Sequence, residues 1–240
     1  MKERGMIFNG EMVRAILDGR KTQTRRIMAP QPADDIERGI FPNPEAIGWK
    51  SSLRHKHGST TAHFCPYGKP GDRIWVRETF CPVDDTQYGG EKWVDYRATP
   101  KFEASHPAGW DCAPNDAEAL KWRPSIHMPR WASRILLEIT DVRVERLNTI
   151  SEEDAKAEGI DMEALYDSQD CYDCIADHNM TGRPTVIGAF KYLWESIYGE
   201  ESWKANPWVW VIEFKRVEGG AAWAQKSSIR PTSWQSAGWK

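Results

Sequence analysis

The 240-residue sequence predicts an α+β protein of mainly β structure, in which a small β-barrel is decorated by several helices and long loop insertions. Short strand-like segments alternate with long irregular connections, and few segments show helical periodicity. One long apolar run also reverses the phase of its alternation part-way along. Such a reversal indicates a β-bulge or a corner, which the strands of a closed barrel need in order to bend.

The N-terminal residues predict a strand, a helix and a second strand. Residues 6–8 form the first strand, and Asn9 is the predicted N-cap of a helix over about residues 10–18. Apolar residues recur at helical spacing through this helix, and Gly19 occupies the C′ position that ends it. Residues 21–28 are rich in threonine, which is typical of a strand.

The middle of the chain contains two strand-like segments and two long segments without a period. Residues 29–70 carry repeated prolines, and we expect a long insertion or an ordered loop there. Residues 73–80 and 93–98 predict strands, whereas residues 99–124 predict a second long insertion.

The strongest β pattern covers residues 134–147. Its apolar residues alternate with period 2 as far as Ile139 and resume in the opposite phase at Val142. We therefore expect a bulge or corner near Thr140 and Asp141.

Two helices are predicted after this strand. Ser151 and Asp154 predict a capping box that opens a short acidic helix ending at Gly159. Residues 189–198 predict an amphipathic helix, and the irregular residues 161–187 between the two helices predict a third insertion.

The C-terminal region predicts a central strand and a tail. Residues 207–214 are apolar on both faces, as a strand in the middle of a sheet is. Residues 219–240 contain no acidic side chain and predict a flexible tail. Residues 1–218 are therefore the predicted single domain.

The charge balance excludes a uniformly basic nucleic-acid-binding surface. The formal net charge is −3, from 32 lysine and arginine residues against 35 aspartate and glutamate residues. Basic side chains nevertheless outnumber acidic ones in residues 1–30, which favours a site for one nucleotide or a short RNA over tracking along double-stranded DNA. The 13 tryptophans also provide indole surfaces on which a base can stack.

Hydropathy and cysteine usage predict a cytoplasmic protein. No apolar run approaches the roughly 20 residues that span a bilayer, so we expect no membrane association. The N-terminus lacks the apolar stretch of a secretory signal. The 5 cysteines, an odd number, do not suggest a disulfide framework, and we expect reduced thiols.

Cys171, Cys174 and His178 have the spacing of metal ligands and are the candidate metal site. A structural zinc ion needs four ligands, and the other cysteines and histidines are scattered along the chain. We therefore expect no cofactor, with a structural zinc ion as the alternative. The sequence has no glycine-rich loop of the ATP- or NAD-binding type.

A run of hydrogen-bond donors follows the first predicted helix. It consists of Lys21, Thr22, Thr24, Arg25 and Arg26. These side chains can bind an anionic or polar ligand, but such a run is also typical of a solvated basic face.

Glu78 is an unusual residue for its predicted strand. Period-2 alternation places it on the same face as Ile74 and Val76. A carboxylate on an apolar face costs free energy unless it is paired, and Lys21 or Arg25 is the expected partner. Such a pair would shift the pKa values of both groups, and a purely structural ion pair is the alternative.

Residues 122–134 are predicted to form the opposite wall of a ligand site. The candidate substrate contacts in this segment are Arg123, Ser125, His127, Arg130 and Trp131. The arginines can bind phosphate, and the indole can stack on a base. The prolines of the segment indicate an extended loop, and a hydrogen-bonded structural role is the alternative for the histidine.

Two motifs resemble the ASCH domain family. They are Gly19-x-Lys21-Thr22-x-Thr24-Arg25 and Gly71-Asp72-x-x-x-Val76-x-Glu78. Residues 122–134 and 206–211 resemble the larger branch of this family that phages and prophages encode. The resemblance covers about residues 5–217 and implies a PUA-like β-barrel, association with RNA and a location in the bacterial host cytoplasm.

The resemblance also implies a chemistry. Small bacterial members are N4-acetylcytidine amidohydrolases that use a lysine, a threonine and a glutamate, which match Lys21, Thr24 and Glu78. In one alternative, Thr24 attacks the acetyl carbonyl and Lys21 is its base. In the other, Thr24 only positions substrate or water, and Lys21 and Glu78 act as the general acid and base. Because Lys21 and Thr24 are three residues apart, they can share a cleft only if Lys21 precedes the strand or a bulge intervenes.

The sequence therefore favours a hydrolase that acts on a modified pyrimidine nucleoside, nucleotide or RNA. A non-catalytic module that binds RNA or a modified base is the alternative. A ribonuclease and a phage morphogenesis factor remain further alternatives.

Overall fold

The computed structural model describes residues 1–32, 36–40, 51–56, 60–84, 92–101, 121–161, 163 and 185–217. Within these residues the protein is α+β, with more sheet than helix, which confirms the predicted class. The predicted tail (219–240) and the candidate metal ligands Cys171, Cys174 and His178 lie outside the described residues, as do parts of the three predicted insertions.

A five-stranded sheet forms the largest element of the fold. Its order is β1-β6-β9-β10-β2, from β1 (Glu3–Ile7), β6 (Arg73–Arg77), β9 (Leu136–Arg146), β10 (Trp208–Arg216) and β2 (Gln23–Ile27). The pairings between described strands do not join β1 to β2. The predicted barrel is therefore not observed among these strands and stays a prediction.

Strand β10 has the central position that its apolar sequence predicts. It pairs antiparallel with β9 on one side and with β2 on the other. Residues 208–212 are all buried, because both faces of the strand are covered.

Strand β9 contains the predicted bulge. Glu213 pairs with Asp141 and Phe214 pairs with Ile139, so that Thr140 is an extra residue on β9. This insertion allows the strand to bury apolar residues on both sides of the phase reversal, while Thr140 is exposed. The alternation of the sequence had located the bulge correctly.

The region predicted as a loop at residues 29–70 contains a second sheet. Strands β3 (Ile36–Ile40), β4 (Ser51–His55) and β5 (Thr60–His63) pair antiparallel in that order. The loop prediction is wrong for these segments. Each strand has only 4 or 5 residues, and β4 and β5 contain one apolar residue each, so no alternation of apolar and polar residues marks them in the sequence.

The predicted strand at residues 73–80 is divided in two. Strand β6 ends at Arg77, and β7 (Phe80–Asp84) begins a separate antiparallel pair with β8 (Lys92–Tyr96). Between them, the backbone N–H of Glu78 donates to the sulfur of Met128 at 3.2 Å, and not to a neighbouring strand.

Four helices lie among the described residues, and the first two begin at the predicted N-caps. They are α1 (Gly10–Leu17), α2 (Glu152–Ala157), α3 (Val186–Tyr198) and α4 (Glu201–Lys204). The side chain of Asn9 accepts from Met12 N–H at 2.8 Å, and that of Ser151 accepts from Asp154 N–H at 3.1 Å. Helix α3 begins three residues earlier than predicted, because Thr185 caps it. None of these helices is long and apolar enough to cross a membrane.

The contacts divide the chain into two compact units. Unit 1 comprises Met1–Arg4, Arg14–Ile74 and Leu137–Arg216, and unit 2 comprises Gly5–Val13, Trp75–Leu136 and Val217–Lys240, of which only Val217 is described after β10. One core of unit 1 joins β10 to the helices and contains Leu147, Ile150, Ala155, Val186, Phe190, Trp194, Val209 and Val211. A core of unit 2 contains Phe80, Tyr96, Met128 and Ala132. Each unit holds one part of the predicted site.

Candidate functional site

Lys21 lies in unit 1, immediately before β2. It forms a single β-bridge with Glu158, and its backbone N–H donates to the carbonyl of Ala15 at 3.0 Å. Its side chain is completely buried. A position before the strand is one of the two arrangements that would allow Lys21 and Thr24 to share a cleft.

The side chain of Lys21 is bound by Glu158. Its Nζ donates to Glu158 Oε2 at 2.6 Å and to the Glu158 carbonyl at 2.8 Å. The expectation that Lys21 pairs with Glu78 is therefore wrong. Burial lowers the pKa of Lys21, and the opposing attraction of Glu158 does not cancel this effect.

Arg25 belongs to the same buried ionic network of unit 1. Its guanidinium donates to Asp154 at 3.0 Å, to Glu145 at 3.3 Å and to Glu158 at 3.4 Å. Gln23 donates to the carbonyl of Asp154 at 3.2 Å. Arg25 is thus not the partner of Glu78 either. The alternate residues Lys21, Gln23 and Arg25 face Asp154 of α2 and Glu158, which directly follows this helix.

Thr24 lies on the other face of β2. It is fully buried, and its hydroxyl accepts a hydrogen bond of 2.7 Å from Arg26, which also donates to the carbonyl of Arg25. Because side chains alternate along a strand, Thr24 and Arg26 point away from the face that holds Lys21. The structure does not bring the Lys21 amine to the Thr24 hydroxyl. Thr22 is exposed.

Glu78 lies in unit 2 and is buried, as its place on the apolar face predicted. Both of its carboxylate oxygens accept from Arg134, each at 2.9 Å. Arg134 also donates to Thr99 at 2.8 Å and stacks on the ring of Tyr96, with its Cζ 4.0 Å from the ring centroid. Burial raises the pKa of Glu78, and the hydrogen bonds and charge of Arg134 oppose this only in part.

The segment 122–134 is attached along its length to the strands of unit 2. The backbones of Arg123 and Phe80 exchange two hydrogen bonds, of 2.8 and 3.2 Å. Arg77 donates to the carbonyls of Ser125 and Ile126. The segment contains two 3-10 turns, Ser125–His127 and Arg130–Ala132, and is less extended than predicted.

Two further hydrogen bonds hold the end of this segment. Tyr96 donates its hydroxyl proton to the Ala132 carbonyl at 2.9 Å, and Ser133 donates to the Val76 carbonyl at 2.8 Å. Burial raises the pKa of Tyr96 to about 12, so the phenol keeps the proton that it donates. The segment is therefore a fixed part of the unit that contains Glu78.

The outer side of the segment carries cationic and apolar groups together. Trp131 is 45% exposed and Ile126 is 58% exposed. Arg123 and His127 are also exposed, whereas Ser125 and Arg130 are half-buried. We call Arg123, Ile126, His127, Arg130 and Trp131 the 123–131 surface. It can offer positive charge and a flat ring to one ligand.

Potential metal ligands are not grouped in the part of the chain that the structure describes. No group of three histidine, cysteine or acidic side chains there could hold a metal ion. The thiols of Cys65 and Cys81 are buried, and burial raises the pKa of Cys65 to about 11. This leaves Cys65 protonated and a poor ligand.

Sequence reasoning missed Glu158 and the role of Arg134. Asp154 and Glu158 are four residues apart, so the helical period could have indicated a shared acidic face. No local signal identifies Arg134 as the partner of Glu78, because 56 residues separate them.

The chain was also compared with known proteins. No family model, no curated protein and no solved structure matches it. The functional assignment therefore depends on the contacts described above and on the motifs of the sequence.

Proposed function

We propose that this chain binds a modified pyrimidine nucleoside, free or within single-stranded RNA, at the 123–131 surface of unit 2. The observation that carries the proposal is that one firmly attached segment exposes Trp131, Arg123 and His127. A segment that is held in place before the ligand arrives loses little conformational entropy on binding. Stacking on it is open to any unpaired base, and the arginine can contact phosphate.

Charge favours a short, single-stranded ligand over a duplex. The net charge of −3 excludes a uniformly basic surface, and long duplexes are bound mainly through many phosphate contacts. The bases of a duplex also stack on one another and do not reach a protein ring. The resemblance to ASCH domains supports the same ligand class. We also propose, on the same resemblance, that the sheet is part of a PUA-like barrel.

Binding to short oligoribonucleotides tests the proposal. Fluorescence anisotropy would compare single-stranded RNA containing cytidine or N4-acetylcytidine with a duplex of equal length. Trp131→Ala should weaken single-strand binding by roughly 5- to 150-fold, which corresponds to the ~1–3 kcal/mol of one stacked base. Tyr192→Ala, which removes an aromatic ring 50% exposed on α3 of unit 1, is the control and should leave binding unchanged.

Two results would contradict this function. One is equal binding by the wild type and Trp131→Ala, and the other is a preference for the duplex. Arg123→Gln provides an independent reading, since loss of one phosphate contact to a single strand should lower the slope of log K against log salt by about 0.7.

We propose hydrolysis of an N4-acyl group as a second candidate function. It is supported by the burial of Lys21, Thr24 and Glu78, three of only nine buried polar or charged side chains among the described residues. It is also supported by the lowered pKa of Lys21 and the raised pKa of Glu78, which are the directions useful to a base and an acid at neutral pH.

The hydroxyl of Thr24 is held by Arg26 on the face opposite Lys21, which favours water as the nucleophile. Neutral Lys21 would accept a proton from water as its oxygen attacks the acyl carbon. The bond from this carbon to N4 then breaks, and N4 receives the proton. The products are the free pyrimidine nucleoside and the carboxylic acid, acetate for an acetyl group.

Chromatographic detection of cytidine from N4-acetylcytidine tests this second function. Lys21→Ala should lower kcat by about 10²–10⁴-fold, the usual contribution of a general base. Lys204→Ala removes an exposed lysine whose partner is Glu201 and should leave kcat unchanged. Glu78→Gln tests the role that the resemblance implies for this carboxylate. Absence of turnover in the wild type would refute hydrolysis and leave the binding result to be judged separately.

A further inference from the structure

We infer that Glu158, and not Glu78, is the carboxylate that positions Lys21 for proton transfer. This inference rests on the second proposed function, hydrolysis. Its geometry lies entirely within unit 1, and it concerns the orientation and charge of one amine.

Two hydrogen bonds fix the position of the Lys21 amine. An ammonium group has three N–H donors, and the neutral amine that remains when it loses a proton has two donors and one lone pair. Nζ donates to the carboxylate oxygen of Glu158 at 2.6 Å and to the carbonyl of the same residue at 2.8 Å. Both bonds can persist when the amine loses its third proton, so Glu158 holds the amine in place in either charge state.

The neighbouring arginines favour loss of that proton. The charged groups that act on Lys21 are Glu158, Arg25 and Arg26, and the two arginines disfavour a positive charge on the amine. Arg25 also donates to Oε1 of Glu158 at 3.4 Å. Because arginine keeps its charge, Glu158 stays paired with a cation when Lys21 loses its proton.

The backbone fixes this arrangement. Lys21 and Glu158 form a β-bridge, and Gly159 follows with a φ of +93°. A Cβ atom at Gly159 would lie 2.9 Å from Cβ of Lys21 and 2.8 Å from Cβ of Ala15. This approach is possible only for glycine, and it keeps the amine and carboxylate of the bridged residues in contact.

NMR of the full chain labelled with ¹⁵N-lysine tests the inference without a substrate. The Nζ resonance of Lys21 is assigned by its absence in Lys21→Arg, and it is followed through a pH titration. In Glu158→Gln the midpoint should move to lower pH, because the amine loses its only acidic partner. Glu145→Gln removes a carboxylate that contacts Arg25 but not Lys21, and should produce a smaller shift.

An unchanged midpoint in Glu158→Gln, or an equal shift in Glu145→Gln, would overturn the inference. If Glu158→Gln does not fold, Glu158→Asp keeps the charge but withdraws the carboxylate, and the midpoint should again fall. With an active wild type, Glu158→Gln should lower kcat more than it changes KM and move the acid limb of the kcat profile to lower pH. If the wild type is inactive, hydrolysis fails while the titration still tests the contact.

Discussion

Replacement of Arg134 by methionine should strongly destabilise unit 2. The change removes two hydrogen bonds to Glu78 and one to Thr99, and it removes the cation stacked on Tyr96. The Glu78 side chain is 2% exposed and that of Arg134 is 16% exposed, so solvent screens this pair little. A buried carboxylate left without its partner costs about 3–5 kcal/mol, and we expect a loss in this range at pH 7.

The pH dependence identifies the cause of this loss. Without Arg134 the pKa of Glu78 should rise further, because burial is then unopposed. A raised folded-state pKa means that stability is retained below the unfolded pKa and lost as pH rises through the folded pKa. The difference between the wild type and Arg134→Met should therefore be smaller at pH 4 than at pH 7.

Urea unfolding monitored by tryptophan fluorescence at both pH values measures this effect. Lys215→Met is the control, because its exposed ion pair with Glu138 contributes at most about 1 kcal/mol. In the Arg134→Met background, Glu78→Gln should recover part of the loss by removing the unpaired charge. A loss no larger than that of the control, or one independent of pH, would refute the account of a buried charge pair.

Two further changes test contacts of unit 1. Gly159→Ala combines a positive φ with two Cβ contacts under 3 Å and should lower the free energy of unfolding by more than about 2 kcal/mol. Gly19→Ala, the control, also has a positive φ but no such contact and should lower it less. Equal urea-unfolding midpoints for the two variants would contradict this explanation. Burial alone would raise the pKa of Asp72. Hydrogen bonds from the backbone N–H groups of Lys2, at 2.7 Å, and of Lys69, together with the positive charges of the N-terminus and Arg4, lower this pKa below its usual value. The stability that Asp72 contributes is therefore present above its unfolded pKa and lost as pH falls, so Asp72→Asn should flatten the acid limb of stability against pH; an unchanged limb in thermal melts would count against it.

Local patterns predicted much of the fold. The phase reversal in β9 located an extra residue at Thr140, and the polar residues Asn9 and Ser151 capped the helices that they precede. These features depend on neighbours within a few residues, which the sequence contains. The strands between residues 36 and 63 were missed, because they contain few apolar residues that could show a period and because their pairing decides their structure.

For the candidate site, the sequence predicted that Glu78 faces apolar residues, but it did not predict which cation pairs with which carboxylate. Alternation correctly placed Glu78 on a buried face, and Lys21 and Thr24 are also buried. The expected ion pair between Lys21 or Arg25 and Glu78 is wrong, since each of the three has another partner. Many combinations of cation and carboxylate satisfy the same requirement that a buried charge be paired.

By itself the sequence determined that Glu78 shares a face with buried apolar residues, where β9 bends, and which segment carries cations and an indole. These properties follow from periodicity, because the faces of a strand or helix alternate in a fixed way along the chain. Only the tertiary structure decided that Glu158 binds Lys21 across 137 residues and that Arg134 binds Glu78 across 56. Electrostatic pairing depends on distance in space, and the fold alone sets that distance for residues far apart in sequence.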